Sequence, residues 1–295
     1  MTVKEGNVVQ REYYGTEEQL WSFEVAGDGY YKIKSKLTDL YLDIAGNETA
    51  NGTNVQVYTG NTSNAQKFKF KELSKRYGID VSVYNGNINW AEVRKSGKVD
   101  YAIIRAGYRG FVSGKLMTDG KFERNVKEAT KNGIDIGLYF FTQAVNEQEA
   151  IEEANYVLNL VRKYNVNVKY PIVIDTEYST SKTNGILDYE GRADQLDVAT
   201  RTAVCRAFCE TIRNAGYTPA VYASRNWFYD NLDVNQLNNC DIWIAHYTGD
   251  VNRPTDYRYR YNMWQYTSSG SVPGVYAPVE NGRVNVDMSI CYKKY

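Results

Sequence analysis

Two acidic residues at the end of one apolar run are the part of this sequence with the clearest chemistry. The run Tyr170-Pro-Ile-Val-Ile-Asp-Thr-Glu177 predicts a buried strand that delivers Asp175 and Glu177 at its C-terminal tip. Residues two apart on a strand point to the same side, about 6–7 Å apart along the backbone. Two carboxyl groups placed together repel each other's charge, which raises one pKa and keeps a proton available near neutral pH. This pairing is typical of glycosidases, although an ordinary strand end whose acids cap a helix or pair with Lys169 and Lys182 would give the same pattern.

The composition excludes several classes of function. The 295 residues contain 35 basic and 35 acidic side chains, so no global field favours nucleic acid, and any anionic partner must be held locally. Tyrosine outnumbers phenylalanine 27 to 9, which suits stacking on sugar rings and equally suits partly solvent-exposed barrel surfaces. No apolar run reaches membrane-spanning length, and the polar start Met1–Gly6 lacks the core of a secretion signal. We therefore expect a soluble form whose export signal is absent or removed.

The four cysteines show no metal-binding spacing. No pair has the C-x-x-C spacing of a zinc site, and Cys205 and Cys209 lie four apart on one face of a predicted helix. We expect reduced, buried thiols, with neither a metal nor a cofactor.

The first 74 residues have an all-β texture. Short alternating segments are separated by turn residues, and Asn51-Gly52 is a hairpin signal. Gln19-Leu-Trp21 recurs 47 residues later as Gln66-Lys-Phe68, which indicates similar stacked units. Further motifs of the same kind are Leu42-Asp-Ile44, Asn51-Gly-Thr-Asn-Val-Gln-Val-Tyr58 and Asn64-Ala-Gln66. The segment resembles the ricin-type β-trefoil lectins, whose units end in Gln-x-Trp.

This resemblance covers about one complete unit and the tail of another, whereas trefoils of that family close with three. It implies an incomplete module in which Asp43, Tyr58 and Asn61 form a sugar pocket, with the Tyr58 ring stacking on the sugar. A structural remnant without binding is the alternative, because closure and neighbouring units normally support such a pocket.

From residue 75 onward, strands alternate with helices. Apolar stripes predict one helix around Ile151–Val161, with Asn146 as its N-cap, and another over Leu196–Ile212, followed by Gly216. Beyond Ala245 no long periodic stretch remains, so helices there are short or missing.

Eight candidate strands follow residue 75, which is the number that a closed barrel needs. They are Gly78–Val83, Tyr101–Ala106, Ile134–Phe141, Tyr170–Asp175, Thr218–Ala223, Asp241–Ala245, Asn262–Tyr266 and Arg283–Met288. We thus predict an α/β fold, a TIM-like (β/α) barrel with reduced helices in its last third. The predicted domains are a small all-β partial β-trefoil over residues 1–74 and the barrel over residues 75–295.

Acidic residues fall at the ends of several predicted strands. Asp80 lies on the first strand, Asp287 ends the last, and barrel closure makes those strands neighbours. With Asp175 and Glu177 from the fourth strand, we expect four carboxylates around one mouth, where barrel enzymes bind their ligands. This acid-lined pocket suits a neutral or acetamido sugar better than a phosphate. The side chains expected to complete its wall and bind substrate are Arg105, Tyr139, Tyr222, Trp243, Tyr247 and Gln265, with a plain core position as the alternative for Tyr139 and Trp243.

Six motifs follow one another in the order found in one enzyme family. They are Gly78-Ile-Asp-Val-Ser82, Ala102-Ile-Ile-Arg-Ala-Gly107, Ile174-Asp-Thr-Glu177, Trp243-Ile-Ala-His-Tyr247, Trp264-Gln-Tyr266 and Val286-Asp-Met-Ser289. Over about Tyr77–Tyr292 the chain resembles the glycoside hydrolase family 25 lysozymes, or Chalaropsis-type muramidases. That family has a flattened barrel with five helices and cleaves the β-1,4 bond between N-acetylmuramic acid and N-acetylglucosamine in peptidoglycan. The resemblance implies that Glu177 is the general acid, Asp175 its partner, and Asp80 and Asp287 the remaining acids of the catalytic cluster.

The spacing of the two strand-end acids bears on mechanism. An inverting enzyme places its acids on opposite faces of the sugar with a water between them, whereas Asp175 and Glu177 emerge side by side. We therefore favour a retaining, substrate-assisted route. In it the 2-acetamido oxygen attacks the anomeric carbon, Asp175 holds the acetamido N–H, and Glu177 acts as acid and then as base. Asp175 as a direct nucleophile is the second candidate.

Two basic side chains have more than one interpretation. His246 is the only histidine and is interpreted as a structural residue rather than a proton carrier. Arg105 either binds substrate or fixes the acids, in which case its loss leaves buried negative charge uncompensated.

The family resemblance also implies partners and a place of action. Bacterial peptidoglycan is the expected partner, with other cell-wall carbohydrate bound through the N-terminal segment, and with no nucleic acid or membrane. We expect a monomer that acts outside the cell or at the cell wall, either exported with its signal removed or released as a phage lysin. A non-catalytic cell-wall-binding barrel and a chitinase-like N-acetylglucosaminidase are the alternatives.

Overall fold

The chain divides into two compact units, Met1–Glu72 and Leu73–Tyr295. The structure is a computed structural model that describes residues 1–11, 14–70, 75–183, 186–248, 250–280 and 283–295. None of the helices formed by these residues is both long and apolar enough to cross a membrane.

The N-terminal unit is an antiparallel β-sheet. Its strands, within the described residues, are β1 (Thr2–Lys4), β2 (Asn7–Val9), β3 (Trp21–Gly27), β4 (Tyr30–Ser35), β5 (Tyr41–Ile44) and β6 (Val55–Tyr58). Their spatial order is β1-β2-β6-β5-β4-β3. Asn51-Gly52 lies in the turn between the paired strands β5 and β6, and Gly52 has a φ of 88°, which glycine adopts without strain. The predicted all-β texture is confirmed.

The 47-residue repeat is visible in the hydrogen bonds of this unit. Gln19 and Gln66 each end a short 3-10 turn. Gln19 Nε2 donates to Thr2 Oγ1 at 3.0 Å, and Gln66 Nε2 donates to Asp43 Oδ2 at 3.0 Å. Counted along the 47-residue repeat, Thr2 pairs with β2 at the same position at which Asp43 pairs with β6. Thr2 therefore occupies in the first repeat the place that Asp43 has in the second.

The second unit is a strand barrel with helices packed on it. The α-helices found in the described residues are α1 (Trp90–Lys95), α2 (Phe122–Lys131), α3 (Glu147–Tyr164), α4 (Val198–Asn214) and α5 (Arg225–Asp230). The strands are β7 (Arg76–Val81), β8 (Tyr101–Arg109), β9 (Leu116–Thr118), β10 (Asp135–Phe141), β11 (Val168–Asp175), β12 (Ser181–Thr183), β13 (Ile186–Tyr189), β14 (Pro219–Ser224), β15 (Asp241–Ala245), β16 (Met263–Gly270), β17 (Val279–Glu280), β18 (Arg283–Val284) and β19 (Val286–Cys291).

Eight strands close the barrel in the order β7-β8-β10-β11-β14-β15-β16-β19, and β19 returns to β7. The pairings from β7 through β16 are parallel, whereas β19 runs antiparallel to both of its neighbours. The predicted eight-stranded barrel is confirmed. The prediction that Asp287 ends the last strand is wrong, because β19 begins at Val286. Parallel return needs a crossover, usually helical, and no helix occurs among the described residues between β16 and β19.

The two predicted helices are present with small changes of boundary. Asn146 caps α3 by accepting a backbone hydrogen bond at 2.9 Å. Asp197 caps α4, so Leu196 lies just before this helix instead of on it. Gly216 follows α4 with a φ of 88°, as expected beyond a helix C-terminus. After Asp230 the described residues form no further α-helix, which agrees with the predicted loss of helices in the last third.

The barrel interior is filled at the end opposite the acids. Tyr101 stacks on Tyr170 with ring centroids 4.1 Å apart, and Tyr295 packs on Tyr170 at 5.1 Å. Gly78 makes room for this stack, because a Cβ there would lie 2.3 Å from the Tyr101 ring. The other buried members of this inner cluster are Ile103, Val173, Ala220, Met263 and Cys291 and, toward the mouth, Tyr222, Trp243 and Ala245. The barrel is therefore open to a ligand at the mouth where the parallel strands end.

A larger core lies between the barrel strands and the helices. Its bulkiest members include Trp90, Phe122 and Trp264, all almost fully buried. Cys205 and Cys209 of α4 belong to the same core. All four cysteines are buried free thiols, as predicted.

Candidate active site

A cavity of about 460 Å³ at the barrel mouth is lined by all four predicted acids, Asp80, Asp175, Glu177 and Asp287. Asp175 is the last residue of β11, and Glu177 follows two residues later, so the pleat places both on the same side. Asp80 and Asp287 are direct register partners across β7 and β19. Because β19 is antiparallel, its N-terminal end lies at the same mouth as the C-terminal ends of the parallel strands. The structure thus brings four distant side chains into one cavity.

The four acids hold their protons more strongly than exposed carboxyl groups do. Burial raises the pKa of Asp80 and of Asp175 well above the ordinary value of 3.8. The charge of Asp287 adds to the rise in the pKa of Asp80, while a hydrogen bond from Gln265 opposes it. Burial and the charge of Glu177 raise the pKa of Asp287 to about 7. The cluster therefore carries protons near neutral pH.

Asp175 and Glu177 share a hydrogen bond, so one of them carries a proton. Burial and then the charge of Glu177 raise the pKa of Asp175 strongly, whereas the bond to Asp175 opposes the burial-driven rise in the pKa of Glu177. Of the two acids, Asp175 therefore holds a proton the more strongly. Asp175 Oδ1 is buried and has no hydrogen-bond partner within the described parts of the chain. A donor on a bound ligand would satisfy this oxygen.

Gln265 on β16 ties the acids to the aromatic wall of the cavity. Its Nε2 donates to Asp80 Oδ2 at 2.9 Å. Its Oε1 accepts from the hydroxyl groups of Tyr222 at 2.8 Å and Tyr247 at 2.9 Å. Trp243 packs on Tyr222 with ring centroids 4.6 Å apart. All five side chains line the cavity, and these bonds hold the Gln265 amide in one orientation.

Arg105 lines the cavity and pairs with an acid that the sequence analysis did not identify. Its Nε lies 2.7 Å from Oδ2 of Asp119, whose side chain is fully buried. The rings of Tyr84 and Tyr108 lie 5.0 and 5.6 Å from its guanidinium group. Its charge also lowers the pKa of Asp175, less strongly than burial raises it. Asp119 follows the short strand β9 in a turn, so no local pattern marks it as the partner of Arg105.

Tyr139 and His246 occupy different environments. Tyr139 lines the cavity, and burial raises its pKa well above the usual range. His246 follows β15, with its Nδ1 2.9 Å from Thr255 Oγ1 and 3.6 Å from Asp256 Oδ1. These contacts give His246 polar partners on its own loop, in keeping with a structural role.

Several lining residues were not identified from the sequence. Tyr84 lies in the turn after β7 and is 71% exposed, and Phe141 ends β10. The others are Ser82, Asn85, Ser268, Pro278, Asn285 and Val286. Ser82 and Val286 belong to motifs at strand ends, so their positions carried a signal. Tyr84 and Phe141 carried only the general signal of an aromatic residue near a strand end.

In the N-terminal unit, the three residues predicted to form a sugar pocket differ in exposure. Asp43 is 5% exposed, and its two carboxylate oxygens accept from Gln56 and Gln66, each at 3.0 Å. Tyr58 is 55% exposed, and Asn61 Oδ1 accepts from a backbone N–H at 2.8 Å. Asp43 thus connects β5 to β6 and to the 3-10 turn that ends at Gln66. Sugar binding at this place stays a prediction.

An acid-lined cavity with aromatic walls, at the mouth of an eight-stranded barrel, is the arrangement of a glycosidase active site. Within the described residues no group of three or more His, Cys, Asp or Glu side chains has the arrangement of a metal site. The chain belongs to the glycosyl hydrolases family 25, whose model matches residues 79–275, more than half of the sequence. Asp287 lies beyond the matched residues and reaches the site through β19.

Relatives and solved structures agree with this family. The chain is 26% identical to Lysozyme M1 of Streptomyces globisporus over 241 residues, which cover 79% of this chain and 76% of the relative. It is 28% identical to the modular autolysin LytC from Streptococcus pneumoniae, solved with a synthetic peptidoglycan ligand, with a TM-score of 0.60. That similarity covers 91% of this chain but only 58% of the autolysin. The bacterial lysozyme from Streptomyces coelicolor, at 21% identity and a TM-score of 0.54, shares the fold over 76% of this chain and 94% of its own.

The N-terminal part matches the model of the ricin-type beta-trefoil lectin domain-like family over residues 3–102. The predicted lectin-like segment is therefore confirmed. The match runs past the N-terminal unit into β7, α1 and the start of β8, which belong to the barrel. The lectin-like fold itself comprises β1 to β6.

Proposed function

We propose that this protein is a lysozyme, an N-acetylmuramidase that cleaves the β-1,4 bond between N-acetylmuramic acid and N-acetylglucosamine in peptidoglycan. The observation that carries the proposal is the hydrogen-bonded pair Asp175 and Glu177 in a cavity that also holds Asp80 and Asp287. Family membership, a relative named lysozyme and an autolysin solved with a synthetic peptidoglycan ligand support this choice of substrate.

Glu177 serves as the general acid. The pair shares one proton, which resides on Asp175 before the substrate binds. An acetamido N–H that donates to Asp175 favours the Asp175 carboxylate, because hydrogen bonds to the charged form of an acid lower its pKa. The proton then passes to Glu177, which donates it to the oxygen of the glycosidic bond.

The acetamido group of the substrate serves as the nucleophile. Its oxygen attacks the anomeric carbon as the protonated leaving oxygen departs, and a cyclic intermediate forms. The Asp175 carboxylate orients the amide and stabilises the positive charge on its nitrogen. Glu177, now a carboxylate, removes a proton from the water that opens the ring, so the product keeps the original anomeric configuration. Direct attack by Asp175 is the second candidate, and it also predicts retention.

Asp80 and Asp287 complete the cluster as a pair that faces the reacting sugar. Their charges and that of Glu177 interact, so removing a proton from one acid makes the next proton harder to remove. We assign to this pair, with Gln265 and Arg105, hydrogen bonds to the sugar hydroxyl groups. The two acids also retain protons in the cavity near neutral pH. The aromatic rings of Tyr139, Tyr222, Trp243 and Tyr247 form the wall against which the sugar packs.

Digestion of purified peptidoglycan tests the proposal. The products are reduced with borohydride and the new reducing ends are identified by mass spectrometry. Reduced muramic acid is the expected result, reduced glucosamine would indicate a glucosaminidase, and the absence of new reducing ends would indicate a binding protein. Proton NMR of the first product formed checks that the β configuration is retained.

We further propose that the protein acts at the bacterial cell wall as a monomer, and that the N-terminal unit adds affinity for wall carbohydrate. The lectin-like match and the exposed ring of Tyr58 support this role for Asp43, Tyr58 and Asn61. Sedimentation with insoluble peptidoglycan tests it in the inactive Glu177→Gln background. Tyr58→Ala should reduce the bound fraction, and unchanged binding would leave the unit without this role.

A further inference from the structure

A second cavity adjoins the catalytic one. Its volume is about 400 Å³, and it shares Glu177, Tyr222 and Tyr247 with the catalytic cavity. Its other lining residues are Ser224, Arg225, Asn226, Ala245 and His246, from the ends of β14 and β15 and the start of α5. Glu177 therefore lies at the boundary between two cavities.

The two cavities differ in their charged and polar groups. Asp80, Asp175 and Asp287 line the catalytic cavity, whereas Glu177 is the one acid among the described residues lining the second. The second cavity is instead lined by Arg225 and Asn226, whose side chains carry N–H donors. Its chemistry suits a ligand with many oxygen acceptors and no charge, such as a sugar with hydroxyl and acetamido groups.

Arg225 is held in place at the wall of this second cavity. Its Nη1 donates to Asn226 Oδ1 at 3.1 Å, and its Nη2 donates to Asp256 Oδ2 at 3.1 Å. Its Nε also lies 2.6 Å from Asp256 Oδ1, which is 3.6 Å from His246 Nδ1. A guanidinium group has five N–H donors, so these contacts orient it without using all of them. Asp256 is thus a positioning residue for Arg225 and His246.

The position of the acid decides which sugar lies in which cavity. A glycosidase acid must reach the oxygen that joins two sugars, so one sugar lies on each side of Glu177. The sugar that reacts must bring its acetamido group to Asp175, which lines only the catalytic cavity among the two. The sugar that leaves must then lie on the other side of Glu177. A volume of about 400 Å³ is in the range of pockets that hold one small ligand.

We infer that the second cavity, the leaving-sugar groove, binds the sugar on the leaving side of the cleaved bond, and that Arg225 and Asn226 recognise its hydroxyl and acetamido oxygens. The ligand class is a neutral N-acetylated hexosamine. Tyr247, which is 51% exposed, offers a ring face to it at the boundary with the catalytic cavity. This inference rests on the proposed function and names the residues that select the leaving group.

Two substrates with the same reacting sugar test the inference. One is a soluble peptidoglycan oligosaccharide, whose leaving group is a sugar, and the other is the β-fluoride of the disaccharide that ends in N-acetylmuramic acid, whose leaving group is one atom. The variants are Arg225→Ala and Asn226→Ala. The matched control is Arg206→Ala, which removes a half-exposed arginine of α4 whose Nη2 lies 3.8 Å from Glu210 Oε1 and which lines neither cavity.

We expect each variant to lower kcat/KM for the oligosaccharide about tenfold, as the loss of a hydrogen bond to a bound sugar does, and to leave kcat/KM for the fluoride within about twofold of wild type. Arg206→Ala should match wild type on both. Equal losses on both substrates, or wild-type values on the oligosaccharide, would overturn the inference while the proposed function stands. A wild-type protein that cuts neither substrate would overturn the proposed function itself.

Discussion

Asp80 on β7 and Asp287 on β19 are direct register partners across an antiparallel strand pair. Side chains in such positions have Cβ atoms about 4.5–5.5 Å apart, and like charges placed there destabilise the pair. The pKa of Asp80 and that of Asp287 are both raised, by burial and by neighbouring acids. Two acids kept side by side at the barrel mouth despite this destabilisation indicate a functional site.

Replacing Asp287 with Asn is expected to flatten the pH dependence of stability. The pKa of Asp287 is about 7 in the folded protein against an ordinary value of 3.8, so the folded protein binds more protons than the unfolded chain between these values. The stability contributed by this group is complete below about pH 4 and is lost as the pH rises through about 7. Thermal unfolding across this range should show a smaller decline for Asp287→Asn. Asp230→Asn, at an exposed site on α5, is the control and should decline as wild type does. A decline of Asp287→Asn equal to that of wild type would contradict the assignment.

Glu177→Gln should abolish hydrolysis while the fold is retained. The amide cannot donate an acidic proton, so kcat should fall at least about 100-fold. The side chain keeps its shape, so circular dichroism should match wild type, and the unfolding temperature should not fall below wild type because a buried like charge is removed. Glu210→Gln, on the exposed face of α4, should keep full activity. Near-normal turnover by Glu177→Gln would remove this residue from the acid role.

Peptidoglycan without its N-acetyl groups should not be cleaved. In the substrate-assisted route the acetamido oxygen is the nucleophile, so a free amine at that position leaves no group to attack the anomeric carbon. Product release from chemically deacetylated and re-acetylated samples of one preparation measures this. Re-acetylation should restore cleavage. Efficient cleavage of the deacetylated sample would favour Asp175 as the direct nucleophile.

Breaking the ion pair between Arg105 and Asp119 should destabilise the barrel strongly. The pair is 2.7 Å apart, with side chains 11% and 0% exposed, so Arg105→Gln leaves a buried carboxylate without its counter-charge. The expected loss in the free energy of unfolding is about 3–5 kcal/mol. Urea denaturation measures it, and adding Asp119→Asn should recover part of the loss. Arg206→Gln breaks an exposed pair and should cost about 0–1 kcal/mol. Equal costs for the two single variants would contradict a buried ionic role for Arg105.

The barrel strands were predictable because their patterns are local. A parallel strand covered on both faces is a continuous apolar run, and Ile172-Val-Ile174 on β11 is fully buried. The caps of α3 and the glycine after α4 are also local signals, since each acts within one turn of its helix. No local sequence pattern indicates the direction of β19. Parallel and antiparallel strands share the same alternation of side chains, so Asp287 was placed at the wrong end of its strand.

By itself, the sequence determined the eight strands, the lectin-like repeat and the acids at the strand tips, because each depends on residues close together in the chain. Tertiary structure alone decided that Asp80 faces Asp287, that Arg105 pairs with Asp119, and that Glu177 stands between two cavities. These relationships join residues far apart in the chain, and they arise from barrel closure and burial, which no local periodicity records.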